Sequence, residues 1–126
     1  MRLDEKAREN LEAAERLLPD EHERPGLFNA AASRAYYAAY LAVADRALRA
    51  GCKFTDRNGT YYRHDRLSND ARGWGILDEE AADALFHLHG LRIKADYAED
   101  QIDVEEATVA YNEATRLVTG LLGEAT

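Results

Sequence analysis

The chain has 126 residues, a formal net charge of −8, 46% hydrophobic and 32% charged residues. That length suits one hydrophobic core, and no Pro-, Gly- or Ser-rich break divides it, so a single domain over residues 1–126 is expected. The acidic balance excludes a global field that attracts nucleic acid, the lone Cys52 excludes an internal disulfide, and no apolar run reaches the ~20 residues that span a bilayer.

Helix formers dominate, and the two prolines, Pro19 and Pro25, lie close together, so the expected class is all-α. Leu3, Ala7, Leu11, Ala14 and Leu18 recur at helical spacing and predict an amphipathic helix from about Asp4 to Leu18, stopped by Pro19. Asp20 to Phe28 reads as a loop, with Asn29 as the cap of a second helix reaching Ala50 and closed by Gly51. In that helix Tyr36, Tyr40, Val43 and Ala47 form one row and Tyr37, Leu41, Ala44 and Leu48 the next, a broad apolar face suited to a central position. The tyrosines either pack the core or stack on a ligand, and Arg34 beside them serves either a phosphate or carboxylate contact or a salt bridge.

Gly51 to Arg72 is polar, with a short helix expected from His64 to Asp70. Lys53, Arg57, Arg63, Arg66 and Arg72, interleaved with Tyr61, Tyr62 and His64, have the composition of a patch for RNA phosphates and bases, or of a solvated loop. Gly73-Trp74-Gly75 reads as a turn. Asp78 then caps a fourth helix, with Leu77 and Ala82 as a staple, and Asp103-Val104-Glu105-Glu106 has capping-box form after an acidic linker, Ala98 to Gln101. Val104, Ala107, Tyr111, Ala114, Val118 and Leu121 predict the buried row of the last helix.

The fourth helix carries the stretch that points to chemistry. Ala84, Leu88, Leu91 and Ala95 form an apolar stripe, and His89, Arg92 and Asp96 stack beside it as a polar one. An acid after its basic partner is the weaker i,i+4 order and meets the negative helix end, so propensity alone does not select Arg92 and Asp96. The bland reading is a surface ion pair contributing roughly 0–1 kcal/mol. With no His-Glu-x-x-His or similar spacing, no metal or cofactor is expected. No apolar signal core opens the chain, and a cytoplasmic protein free of the membrane is the expectation.

Taken together, Ser33-Arg34-Ala35-Tyr36-Tyr37-Ala38-Ala39-Tyr40, His64 and Arg92-Ile93-Lys94-Ala95-Asp96-Tyr97 resemble the HEPN superfamily, in particular its small prokaryotic branch with an Arg-x-x-Ala-Asp-Tyr signature. The resemblance covers nearly the whole chain. It implies an antiparallel bundle of four to five helices that forms a homodimer, with the motif arginines of both protomers at one cleft. It also implies an RNA or nucleotide ligand, and, in many members, metal-independent ribonuclease activity as the toxin of a toxin–antitoxin pair whose partner is a minimal nucleotidyltransferase. Carried onto this chain, the catalytic set is Arg92, Asp96, Tyr97 and His89, and the RNA- or nucleotide-binding set is Arg34, Tyr37, His64 and Lys94.

In the family's enzymes a His follows the Arg after a short spacer; here that place holds Tyr97. A phenol with a pKa near 10 is a poor base at neutral pH, so His89 or His64 would have to take the 2′-hydroxyl proton while Arg92 stabilises the phosphorane and Asp96 orients it. The rival expectation is a catalytically silent helical module that docks a nucleotidyltransferase. A small-molecule binder is a third.

Overall fold

The computed structural model describes residues 2–18, 27–97 and 102–123. They form α1 (Leu3–Leu17), α2 (Phe28–Arg49), α3 (Leu67–Gly73), α4 (Glu79–Tyr97) and α5 (Val104–Leu122), with no strand among the described residues. Cross-helix contacts fix the directions. Arg8 donates to the Leu122 carbonyl and the Tyr111 hydroxyl to Glu15, so α1 and α5 are antiparallel. Asp4 lies at Arg49 and Asn10 at Arg34, which sets α1 against α2. Ser33 meets Asp96 and Tyr37 meets Arg92, so α4 also runs against α2, while α2 and α5 run parallel, Asn29 at Ile102 and Arg46 at Leu121. The result is an antiparallel all-α bundle in which α2 touches every other helix.

The reason α2 can be central is its composition. Ala31, Ala32, Ala35, Ala38, Ala39, Ala42, Ala44 and Ala47 are all buried, and their small side chains let neighbouring helices approach closely. Ala7 of α1 and Val118 of α5 pack on Ala38 and Ala42, while Tyr36, Tyr40, Leu85, Leu88 and Leu91 build the larger core on the other side. α1 ends where expected: Leu18, the residue before Pro19, is extended (φ −73°, ψ 153°), as a following proline requires.

Both acidic caps form. The Asp78 carboxylate accepts from the Ala81 amide (2.8 Å), and Asp103 and Glu106 exchange bonds in a full capping box (2.8 and 3.2 Å). Asn29 does not cap α2, which begins at Phe28 with Leu27 at the cap position; its side-chain oxygen accepts instead from the Ile102 amide (2.8 Å) and ties the start of α2 to that of α5. The expected rows overreach at helix ends, where Leu48 (43% exposed) and Val104 (44%) run past the packing surface. Most of the loop read over Asp20 to Phe28, and the whole linker Ala98 to Gln101, lie outside the described residues.

The short helix also shifts, from the expected His64–Asp70 to Leu67–Gly73. Residues 52–66 are committed elsewhere. Asp56 accepts from the amides of Asn58, Thr60 and Tyr61, and the amides of Thr55 and Asp56 both reach the Tyr61 carbonyl, closing a tight loop. Buried Tyr62 then anchors that loop, donating to the Cys52 carbonyl (2.7 Å) while its own carbonyl accepts from the Tyr40 hydroxyl (2.7 Å). Two residues later the chain delivers His64 to α2.

Candidate functional site

On the face of α2 turned to α4, Ser33, Tyr36, Tyr37 and Tyr40 follow one another at i, i+3, i+4 and i+7. The antiparallel α4 presents His89, Arg92 and Asp96 at matching heights. The Arg92 guanidinium donates to the Tyr37 hydroxyl (3.0 Å), lies 5.5 Å from the centre of that ring, and pairs through Nε with Asp96 (3.0 Å). The other oxygen of Asp96 accepts from the Ser33 hydroxyl (2.7 Å), so the carboxylate that orients the arginine is itself held by α2. The Arg92 side chain is 16% exposed, enough to meet a ligand and too little to swing freely.

His64 enters from the loop. Its ring stacks on Tyr40 (4.1 Å between centres, 20° between planes), stands edge-on to Tyr37 (6.0 Å), and its Nδ1 lies 2.6 Å from the Tyr36 hydroxyl. His89 of α4 packs on the Tyr36 ring at 5.5 Å. One arginine, two histidines and three tyrosines thus converge where α2, α4 and the loop meet.

Burial and charge set the protonation states. Burial pushes both histidines below the usual imidazole value of 6.5, and the nearby Arg92 cation pushes the same way; Asp65 opposes it at both rings. Both shifts favour the neutral ring at neutral pH. Burial pushes the Tyr40 phenol up to about 12 and the Tyr36 phenol higher still, so these hydroxyls keep their protons. The arrangement holds a fixed cation for a phosphate, imidazoles for proton transfer, and aromatic faces. Among the described residues no group of three or more His, Cys, Asp or Glu side chains is gathered as a metal site.

Of the residues singled out from sequence, Arg92, Asp96, His89, Tyr37 and His64 are brought together. Arg34 and Lys94 are not. Arg34 sits one residue, about 100°, round from Ser33 and donates to Asn10 of α1 (3.2 Å). Lys94 is two residues, about 200°, round α4 from Arg92 and pairs with Glu106 of α5 (3.0 Å). The Tyr97 side chain lies outside the described residues. Within the basic loop, Arg63 pairs with Asp65 and Arg66 lies 3.8 Å from Asp70, so part of that charge is neutralised locally.

Sequence reasoning missed Tyr36, Tyr40 and Ser33 as members of the cluster. The signal was present: hydroxyls on a mostly alanine helix must find partners when buried, and here the partners are His64, the Tyr62 carbonyl and Asp96.

No curated protein matches the chain. A family model described as the HEPN domain matches residues 1–123. That match spans nearly all of the bundle, and the chain belongs to the HEPN family.

Proposed function

We propose that this HEPN protein binds single-stranded RNA at the α2–α4 cluster and cleaves it without a metal, acting as a homodimer and serving as a toxin or defence nuclease. The observation that carries the reading is Arg92, clamped between Tyr37 and Asp96 and flanked by His64 and His89. Metal-free cleavage needs a base and a cation, and the cluster offers both. A base removes the 2′-hydroxyl proton, the 2′ oxygen attacks phosphorus, and the 5′ oxygen departs with a proton, leaving a 2′,3′-cyclic phosphate and a 5′-hydroxyl end. The guanidinium stabilises the charge that builds on the non-bridging oxygens, and Asp96 keeps it aimed.

The dimer has a face to use. Phe86 (65% exposed), Gly90 and Ile93 (41% exposed) recur at i, i+4 and i+7, an open apolar stripe directly beside His89 and Arg92 on α4. Pairing two copies through it sets two arginines next to one strand of RNA, which answers the net charge of −8 with a local cationic centre. Exposed Tyr61 and Phe54, near the loop that carries His64, offer surfaces for unpaired bases.

A second reading is supported by one specific observation. Tyr97 occupies the place of the family's histidine, as expected of a silent module that pairs with a nucleotidyltransferase. A single experiment separates the two. Purified protein is incubated with a labelled single-stranded RNA in EDTA and the product ends are analysed. Cleavage to 2′,3′-cyclic phosphates that is lost in Arg92→Ala supports the nuclease; intact RNA with wild-type protein rejects it in favour of the docking module.

A further inference from the structure

His64 and His89 both stand beside Arg92, and the contacts around them assign different work to each. Tyr36 is 1% exposed, and the partner of its hydroxyl among the described residues is His64 Nδ1, at 2.6 Å. Two arrangements of the proton are conceivable. If Nδ1–H donated to the phenol oxygen, the phenol's own proton would be left in the core without an acceptor, at the full desolvation penalty of a buried donor. If the phenol donates to the Nδ1 lone pair, every polar atom at the contact is satisfied. The second arrangement puts the imidazole proton on Nε2.

The ring has little freedom to escape this choice. Tyr40 stacks on one face at 4.1 Å and Tyr37 meets it edge-on at 6.0 Å; turning the ring over would keep its plane but put Cδ2 in the place of Nδ1, and the bond to Tyr36 would be lost. The charged and titratable groups that face His64 are Arg92 and His89 from α4, Asp65 from its own loop and Tyr36, Tyr37 and Tyr40 from α2. An Nε2–H ring has no lone pair on that nitrogen, so it donates hydrogen bonds and accepts no proton there. Nor can it act as an acid through Tyr36, because passing the phenol's proton to Nδ1 would leave a buried phenolate.

We infer that Tyr36 is a positioning residue that holds His64 as the Nε2–H tautomer, so that His64 donates to a phosphate oxygen while His89 takes the 2′-hydroxyl proton. The kinetic half rests on the nuclease reading; the tautomer does not. In the cleavage step the His89 imidazole removes the 2′ proton, the O2′–P bond forms, the P–O5′ bond breaks as O5′ takes a proton from water, and the His89 imidazolium then returns its proton to the solvent. His89 ends neutral and nothing is oxidised or reduced.

Two measurements test this on the intact protein. Long-range 1H–15N spectra of the histidine rings, assigned with His64→Gln, should show His64 protonated at Nε2 with a hydrogen-bonded, bare Nδ1. In Tyr36→Phe that Nδ1 should move toward the frequency of an unbonded ring nitrogen. Wild-type spectra showing protonated Nδ1 overturn the assignment. In steady-state cleavage of RNA, His89→Gln should lower kcat by roughly 10²–10⁴-fold. His64→Gln, whose amide keeps an N–H near the ε position, should raise KM with the smaller loss in kcat. The reverse split would make His64 the base and end the proposal. A Nε2–H His64 in a protein that cuts no RNA rejects the nuclease reading and leaves the tautomer standing.

Discussion

The two long faces of α2 contrast sharply. On one side Ala38 and Ala42 meet Ala7 of α1 and Val118 of α5, a contact with no polar atom to satisfy. On the other, Ser33, Tyr36, Tyr37 and Tyr40 meet His64, Asp96, Arg92 and a backbone carbonyl. Both faces are closely packed, and polar pairs bound the alanine contact, Arg34 with Asn10 and buried Asp45 with Arg49, but on the second face the contact itself needs partners of one geometry, because a buried hydroxyl without an acceptor is costly. The alanine face therefore tolerates any neighbour of the right volume. The tyrosine face fixes particular side chains, and a site can be built from them.

Substitutions that separate stability from activity sharpen the contrast. The largest effect is expected for Arg92→Ala on the tyrosine side, with cleavage falling about 10²–10³-fold, as for loss of a single transition-state donor. Arg92 is 16% exposed and its loss leaves Tyr37 and Asp96 without that partner, so the variant also loses stability, by about 1–3 kcal/mol; cleavage is therefore expressed per folded molecule, with RNA cleavage and thermal unfolding read from one preparation. Ala38→Leu on the alanine side should affect stability alone. Its added methylenes have nowhere to go and cost about 1–3 kcal/mol in chemical denaturation, while cleavage per folded molecule holds.

Smaller changes probe the edge of the site. Tyr37→Phe removes the acceptor that holds one arm of Arg92, and a lost hydrogen bond of about 0.5–1.5 kcal/mol should lower cleavage by up to about tenfold. The smallest effect concerns acid. Both histidines titrate below their ordinary value of 6.5 in the folded protein, so the unfolded chain binds more protons as the pH falls through that value. Their contribution to stability is present above about pH 6.5 and is lost on acidification. Melting temperatures compared between about pH 7.5 and about pH 5.5 should drop less in a His64→Gln, His89→Gln double variant than in the wild type.

The same contrast explains what could be seen in the sequence. The helix order, both acidic caps and the alanine-rich centre follow from periodicity and capping chemistry, which act within a few residues. The polar stripe of His89, Arg92 and Asp96 on the fourth helix is visible for the same reason, since helical spacing alone aligns them. What spacing within one helix does not give is the azimuth of a neighbour. Lys94 sits inside the same motif as Arg92 yet faces α5, and Asn29 resembles a cap yet serves Ile102. His64 was expected at the head of a helix and instead lies in a loop whose shape depends on Asp56 and Tyr62, two anchors with no sequence signature of their own.

The most direct test of the account is the affinity of a short fluorescent single-stranded RNA, read by anisotropy at fixed salt, for the wild-type protein and for Arg92→Ala. If the arginine held by Tyr37 and Asp96 is the phosphate grip, the variant binds at least about tenfold more weakly, the change that a charge-assisted bond of roughly 1.5–3 kcal/mol implies. Equal affinity in a folded variant would contradict it.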